Sequence, residues 1–161
     1  MVIFGGIGSA LLGDLWMLDM ETCAWRAVQA TTLGGAEPPD KVMAAAAAAV
    51  GHRVWVFGGQ KGRTHTRKLH VLDVHRHVWY LPGGKSSLPS ARAGHAMTTV
   101  GTAIYMFGGA GKKLYNDLHR LDTDIDEGSF VEVKTAGQPP LPRQVGRTCA
   151  QTPAMPCSQS R

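Results

Sequence analysis

The chain has 161 residues, of which 43% are hydrophobic and 18% are charged, and its formal net charge is +5. This composition supplies enough apolar material for a folded core, so it excludes a disordered chain. No apolar run approaches the roughly 18–20 residues of a membrane-spanning helix, and the first residues lack the basic and apolar segments of a signal peptide. We therefore expect a cytoplasmic protein with no membrane association.

Cysteine and glycine content narrow the fold and the chemistry further. The three cysteines are odd in number and form no C-x-x-C pair, which argues against a disulfide framework and against a cysteine zinc site. The 20 glycines and 9 prolines interrupt the chain too often for long helices. Because neither a phosphate-binding loop nor a G-x-S-x-G motif occurs, the sequence indicates a non-catalytic protein without a cofactor.

Taken in chain order, one phrase of the sequence occurs three times. A short hydrophobic segment ends in a Gly-Gly doublet that begins at Gly5, Gly58 and Gly108, so the doublets are 53 and 50 residues apart. A strand-like phrase ending in Leu-Asp follows each doublet, at residues 14–19, 68–73 and 117–122. The apolar segments are short, rich in β-branched and aromatic residues, and bounded by turn-forming residues, which is typical of β-strands.

This pattern resembles the kelch repeat, which combines a hydrophobic strand, a Gly-Gly doublet, a downstream Leu-Asp and a spaced aromatic residue. The resemblance implies an all-β fold of kelch-type β-propeller blades, each blade a four-stranded antiparallel sheet. The spaced aromatic residues are Trp25, Trp79 and Phe130. They are large enough to fill the wedge between neighbouring blades, so we expect all three in the core between blades.

The opening of each repeat is its least regular part. Residues 89–95 match the family's Pro-x-x-Arg-x-Gly-His opening. Arg92 and His95 occupy its arginine and histidine positions. The corresponding stretch of the second repeat is a run of six alanines at residues 44–49, which favours a helix by intrinsic propensity. Since the repeat register places a strand there, we predict a buried strand with small side chains.

The repeats divide the chain into a kelch region at 1–150 and an unstructured tail at 152–161. Within that region we predict a partial blade, two complete blades and a lone strand, at residues 1–33, 42–81, 94–133 and 146–151. About three blades make an incomplete ring, because propellers typically have roughly four to eight. Three explanations stay open: a fragment of a longer propeller, which we favour because Met1 stands where the family has an ordinary strand residue; a ring completed by self-association of two copies; and an open array with exposed edges.

Histidines and acidic residues cluster without forming a recognisable metal site. His65, His70, His75 and His77 lie close together in sequence, but a metal site needs further ligands in a fixed geometry, so we interpret the group as a solvated turn. The acidic run at 122–127 lacks the glycine and glutamate of a calcium loop. A fragment of an oxidase-like kelch enzyme is a weaker alternative, because no residues match the copper ligands of galactose oxidase.

Charge segregates between the two faces that alternating strands create. Loops that join the second strand to the third, or one blade to the next, share a face on which basic residues outnumber acidic ones, and the opposite face is mostly acidic. We predict that the basic face binds a protein partner through an acidic peptide or segment. The candidate binding residues are Lys61, Arg63, Arg67, Lys68, Lys85, Arg92, Lys112 and Lys113. Nucleic acid is a less favoured partner, because Tyr115 is the one aromatic residue near these loops. Loop charges that serve only solubility are the other alternative.

Overall fold

The computed structural model describes residues 1–82, 87–123 and 128–144, which form β-strands joined by turns and loops. The lone strand predicted at 146–151, the tail predicted at 152–161 and most of the acidic run at 122–127 lie outside the described residues. None of the described residues belongs to a helix that is long and apolar enough to cross a membrane. The strands are β1 (Val2–Ile7), β2 (Leu11–Leu18), β3 (Trp25–Ala27), β4 (Thr31–Thr32), β5 (Ala46–Val50), β6 (Arg53–Phe57), β7 (Gln60–Lys61), β8 (Thr64–His65), β9 (Leu69–Asp73), β10 (Val78–Tyr80), β11 (Ala96–Val100), β12 (Ala103–Phe107), β13 (Leu118–Asp122) and β14 (Phe130–Glu132).

Three antiparallel sheets follow one another along the chain, and we call them the first, second and third blades. The first blade consists of β1, β2 and β3, and the third consists of β11, β12, β13 and β14. The second contains β5, β6, β9 and β10 in that order, with β4 added beside β10. The predicted all-β architecture of kelch-type blades is therefore confirmed.

Strand β4 lies in the sequence after the first blade but belongs to the sheet of the second. Its residues fall within the partial blade predicted at 1–33, yet they pair in parallel with β10. The Thr31 amide donates a hydrogen bond to the His77 carbonyl oxygen at 3.0 Å, and the Leu33 amide donates to the Trp79 carbonyl oxygen at 2.9 Å. The connection between the first two blades is thus itself part of a sheet.

Most of the alanine run forms a strand, as predicted, but the strand begins at Ala46 and only one of its faces is buried. Strand β5 pairs with β6 in antiparallel register, with Ala47 opposite Val56. Ala46 and Ala48 are buried while Ala47 and Ala49 are exposed, which is the alternation of a strand with one buried face. Helix propensity is a weak preference that tertiary context overrides, and here the neighbouring strand supplies that context.

Two apolar clusters lie between the blades, and each contains residues from both blades that flank it. The cluster between the first and second blades consists of Leu15, Met17, Val28, Val56, Leu72 and Trp79. The cluster between the second and third blades consists of Ala48, Trp55, Phe57, Leu69, Val71, Ile104, Met106, Leu121 and Phe130. Face-to-face packing of sheets therefore holds the array together.

In both clusters an aromatic side chain contacts the phenylalanine that precedes the Gly-Gly doublet of the preceding blade. Trp79 packs on Phe4 with the ring centroids 5.0 Å apart, and Phe130 packs on Phe57 at 5.2 Å. Trp79 and Phe130 are buried, as predicted. The prediction for Trp25 is wrong: its side chain is 47% exposed, because no sheet among the described residues lies against that side of the first blade.

The Gly-Gly doublet anchors the segment that opens the next blade. The Gly59 amide donates a hydrogen bond to the Arg92 carbonyl oxygen at 2.9 Å. Gly58 has a φ of +67°, and a Cβ atom there would lie 2.5 Å from the same oxygen. Both the backbone conformation and the close approach therefore require glycine. The equivalent hydrogen bonds join Gly6 to Val42 and Gly109 to Arg143.

Candidate interaction face

Two neighbouring blades present basic residues at the tips of equivalent loops. In the second blade the connection from β6 to β9 forms the β7–β8 hairpin, which turns at Gly62 and Arg63. In the third blade the connection from β12 to β13 is closed by a bridge between Ala110 and Leu114. Because consecutive strands alternate in direction, both turns lie on the same face. We call this surface the basic loop face; its residues are Lys61, Arg63, Arg67, Lys68, Lys112 and Lys113.

Besides Lys61, four of the predicted binding residues are exposed on this face: Arg63, Arg67, Lys112 and Lys113. The Arg67 guanidinium donates a long hydrogen bond of 3.4 Å to the Leu88 carbonyl oxygen. Within residues 1–82, 87–123 and 128–144, no carboxylate forms an ion pair with any of the four. Lys85, also predicted for this set, lies outside the described residues.

Two further cations of the basic loop face are neutralised within the chain. The Lys61 ammonium lies 2.7 Å from an Asp40 carboxylate oxygen, and the Lys68 ammonium lies 2.7 Å from a Glu37 oxygen and 3.4 Å from Asp40. The hydrogen bond with Glu37 raises the pKa of Lys68, and the hydrogen bond from Lys61 lowers the pKa of Asp40. Ion pairs this exposed contribute little to stability.

The prediction for Arg92 needs a correction, because the side chain lies in the interior and not on the exposed surface. It is 1% exposed, and its guanidinium donates to both carboxylate oxygens of Asp117, at 2.6 and 2.8 Å. It also donates to the Gly108 carbonyl oxygen at 2.9 Å and stacks on the Tyr115 ring, 4.0 Å from its centroid. A bidentate, stacked guanidinium of this kind is a structural anchor for the blade.

Asp117 stays ionised because of this contact. Partial burial by itself raises the pKa of Asp117, but hydrogen bonds from Arg92 and His119 outweigh burial and lower the pKa to about 2. The His119 Nε2 atom lies 2.9 Å from the second carboxylate oxygen. The third blade thus contains a connected Arg–Asp–His group beneath the loop face.

The four histidines that are close in sequence are not brought together in space. His65 ends β8, His70 is buried in β9, and His75 is exposed in the turn that follows β9. The His77 Nε2 atom lies 3.3 Å from the Arg26 guanidinium. In the part of the chain that the structure describes, no group of three or more His, Cys, Asp or Glu residues could hold a metal ion.

His70 and His95 are buried in places that disfavour a charged ring. Among the described residues, His70 Nε2 and both ring nitrogens of His95 have no hydrogen-bond partner. Burial, followed by the positive charge of Lys68, lowers the pKa of His70 to about 4. Burial, followed by the charge of Arg92, lowers the pKa of His95 to about 3. Both side chains are therefore neutral near pH 7 and serve in packing.

On the opposite face, the aspartate of the Leu-Asp phrase organises a turn. Asp19 accepts a hydrogen bond from the Glu21 amide at 2.8 Å, and Asp73 accepts from the His75 and Arg76 amides, both at 3.0 Å. These hydrogen bonds lower the pKa of both aspartates. The acidic character of this face thus comes partly from residues that stabilise its turns.

Sequence reasoning missed that carboxylates neutralise three of the seven described candidate cations, which are Lys61, Lys68 and Arg92. Asp40 and Asp117 each bind a residue predicted for partner binding, and Glu37 binds Lys68. The sequence carries one signal of this, since Lys68 and Asp117 begin the same Leu-Asp phrase with opposite charges. Opposite charges at one repeat position indicate different local partners rather than a shared ligand.

Comparison with known proteins agrees with this architecture. Residues 1–155 match the family model of the KLHDC2/KLHL20/DRC7 Kelch-repeats domain. This chain belongs to the kelch-repeat family. The three sheets described above are accordingly kelch blades, and the array is a protein-interaction module.

Several curated proteins are similar to this kelch array. The chain is 36% identical over 115 residues to Acyl-CoA-binding domain-containing protein 4 of Arabidopsis thaliana, which covers 70% of the chain and 17% of that protein. It is 34% identical over 121 residues to the Rab9 effector protein with kelch motifs of Homo sapiens, covering 72% of the chain and 32% of that protein. It is 28% identical over 120 residues to Rho GTPase-activating protein gacHH of Dictyostelium discoideum, covering 70% of the chain and 8% of that protein. The chain therefore spans less than a third of the length of these relatives.

Proposed function

We propose that this kelch array is a non-catalytic module that binds an acidic segment of a partner protein through the basic loop face. The observation that carries the proposal is the set of exposed cations on adjacent loop tips. Arg63 stands at the tip in the second blade, and Lys112 and Lys113 stand at the tip in the third. A patch of one sign of charge raises the local concentration of oppositely charged ligands and speeds their association.

The internal ion pairs support the same ligand chemistry. Glu37 and Asp40 place carboxylates against Lys61 and Lys68, at the edge of the exposed cations. These contacts are an intramolecular example of the interaction that we propose for the partner. An acidic ligand that reaches Arg63 and Lys112 extends the pattern across two blades.

The test is a charge reversal at the loop tips. Fluorescence anisotropy with a labelled oligoglutamate peptide measures binding to the full chain at low salt. In the Arg63→Glu/Lys112→Glu variant we expect the affinity to fall by about tenfold or more, because each reversal replaces attraction by repulsion. Added salt weakens wild-type binding as well.

A matched control changes the net charge equally on the opposite face. The Arg26→Glu/Arg76→Glu variant carries the same charge change, at residues exposed away from the loop tips. We expect this variant to bind the peptide about as well as the wild type. Equal loss in both variants would show that net charge alone drives binding, and unchanged binding in the loop-tip variant would refute the proposal.

Two other predictions remain separate from the loop face. Binding of a generic DNA duplex at low salt, tighter than binding of oligoglutamate, would favour the nucleic-acid alternative over an acidic protein segment. A cytoplasmic location stays a prediction and has its own test in cell fractionation. Self-association would use the two flanks of the array, which the loop-tip substitutions leave intact.

A further inference from the structure

We propose that the partner segment carries a bulky apolar side chain among its acidic residues, and that this side chain docks in a groove between the first and second blades. The inference deepens the proposed function and rests on the basic loop face for the acidic part of the ligand. The groove has a volume of about 520 Å³, within the roughly 300–1,000 Å³ that is usual for ligand pockets.

The walls of the groove are mostly apolar. The rings of Phe4 and Trp79 line it, and their centroids are 5.0 Å apart. Leu11 and Leu12 line it at the start of β2, and the two prolines at 38–39 line it in the segment that opens the second blade. All of these residues lie within 1–82, which the structure describes without a gap. The groove therefore has the apolar lining of a site for a large side chain.

The loop tip of the first blade is apolar where the other two tips are basic. By the Gly-Gly doublet and the Leu-Asp phrase, β1 and β2 correspond to β6 and β9, so their connection lies on the same face as the basic tips. At this connection Ile7 pairs with Leu11, and Ile7 and Leu12 are 63% and 41% exposed. The corresponding tips carry Arg63 and Lys112. An apolar patch rimmed by charge is typical of surfaces that bind proteins.

The groove and the basic loop face share a wall, which is the segment 38–41. The Lys41 side chain lies over β2, so close that a Cβ atom at Gly13 would lie 2.8 Å from the Lys41 Cγ atom. The neighbouring Asp40 does not line the groove, and its carboxylate lies 2.7 Å from the Lys61 ammonium. An apolar side chain in the groove therefore leaves the flanking residues of the ligand beside the basic loop face.

Lys41 supplies a positive charge at the groove itself. It is exposed, and it forms no ion pair with a carboxylate of the described residues. Asp14 also lines the groove, but its carboxylate already accepts a hydrogen bond of 2.6 Å from the Trp16 indole. This charge favours an acidic neighbour over a basic one on the ligand. The groove thus fits an apolar residue that is flanked by acidic residues.

The experiment compares two acidic peptides for binding to the full chain. They are labelled oligoglutamates of equal length and charge with either a phenylalanine or an alanine at the centre, and fluorescence anisotropy gives the two affinities. We expect the phenylalanine peptide to bind about tenfold more tightly, because burial of its ring is favourable. Added salt should weaken both peptides but leave their ratio nearly unchanged, since salt screens only the charged contacts.

The Leu11→Ser/Leu12→Ser variant removes apolar lining from the groove. Neither leucine belongs to the apolar clusters between the blades, so the blades should stay folded, which circular dichroism checks. We expect the ratio of the two affinities to fall to near one, while the alanine peptide binds as tightly as it binds the wild type.

A matched control removes two exposed apolar side chains from the opposite face. Met20 lies in the turn between β2 and β3, and Val100 lies at the turn between β11 and β12; they are 68% and 48% exposed. The Met20→Ser/Val100→Ser variant should keep the roughly tenfold ratio, because neither residue lines the groove.

The outcomes separate this inference from the proposed function. A ratio near one in the wild type, or a tenfold ratio that survives Leu11→Ser/Leu12→Ser, would overturn the groove and leave the basic loop face standing. If only the phenylalanine peptide binds, and binds through the two leucines, the loop-face proposal fails alone. If neither peptide binds, both fail.

A neutral peptide tests whether the occupant must be acidic. It carries the same central phenylalanine between serines, and we expect it to bind far more weakly than the acidic peptide, because it lacks charges to meet Lys41 and the basic loop face. Equal affinity would show that the groove takes apolar ligands regardless of charge, which contradicts an acidic occupant.

Discussion

In the third blade Arg92 lies where the second blade has Val42, and Asp117 lies where the second blade has Lys68. The backbone establishes both equivalences. The carbonyl oxygens of Val42 and Arg92 accept from the second glycine of a doublet, and those of Lys68 and Asp117 accept from the first glycine, at 3.1 and 3.2 Å. The third blade uses the two positions for a buried ion pair, whereas the second blade has an apolar residue at one of them and a reversed charge at the other.

This difference shows that the residues at these two positions depend on each other. An aspartate at position 68 beside Val42 would be partly buried without a counter-charge, which is costly. Lys68 instead turns toward Glu37 and Asp40, in the segment that opens the second blade. Two cations that the sequence assigned to the same face thus differ completely in role, since Arg92 supports the fold and Lys68 lies at the edge of the basic loop face.

The largest expected effect breaks the anchor of the third blade. Asp117→Ala leaves the Arg92 guanidinium buried without its carboxylate, so we expect the free energy of unfolding to fall by about 3–5 kcal/mol. Urea denaturation followed by tryptophan fluorescence measures this loss. Lys68→Ala, the matched change in the second blade, removes only solvent-exposed pairs and should cause a much smaller loss. Equal losses in the two variants would contradict the distinction between the blades.

A second effect depends on pH and concerns His70 and His119, which occupy the same position in the two blades. His119 contacts Asp117, whereas burial, followed by the positive charge of Lys68, lowers the pKa of His70 from 6.5 to about 4. In the unfolded chain His70 therefore binds a proton below pH 6.5, whereas in the folded chain it binds one only near pH 4. The contribution of neutral His70 to the free energy of unfolding is fully present above pH 6.5. It is lost as the pH falls toward 4, which lowers that free energy by roughly 3 kcal/mol.

The His70→Leu variant isolates that contribution. Its unfolding free energy should decline less than that of the wild type between pH 6.5 and 4, because the other titrating groups are shared. Chemical denaturation at a series of pH values gives both curves. Parallel curves would mean that His70 does not carry the pH dependence.

The smallest effect comes from transplanting the anchor of the third blade into the second. Val42→Arg alone buries a charge without a partner, and Lys68→Asp alone adds a third carboxylate beside Glu37 and Asp40. Together they recreate the Arg–Asp pair, so the double variant should be more stable than the two single losses imply. A double-mutant cycle is expected to give a coupling of about 0.5–3 kcal/mol, and strictly additive losses would contradict the equivalence of the positions.

Much of the fold was predictable because the repeat register outweighs local preference. The alanine run became strand β5 despite its helix propensity, since a strand was required opposite β6. Trp79 and Phe130 entered the core because each has a preceding blade to pack against. Trp25 has the same sequence context but no such neighbour among the described residues, so its exposure depends on contacts that no repeat pattern encodes.

The candidate site was less predictable for a related reason. A face can be assigned from strand alternation alone, and this placed Arg63 and Lys112 correctly at exposed turns. Whether a cation on that face is neutralised depends on whether a carboxylate from a segment distant in sequence lies beside it. Asp40 is 21 residues from Lys61 in sequence, and Asp117 is 25 residues from Arg92, so these pairs become visible only in three dimensions.

Strand β4 has a consequence for how the array opens. It covers the backbone edge of β10, so the outer edge strand of the second blade is β4 itself, which is only two residues long. Because β4 is the link that leaves the first blade, separating the first two blades also strips a strand from the second. Separating the first two blades therefore breaks backbone hydrogen bonds inside the sheet of the second blade. The third blade is joined to the second by backbone hydrogen bonds of its opening segment and by side-chain packing.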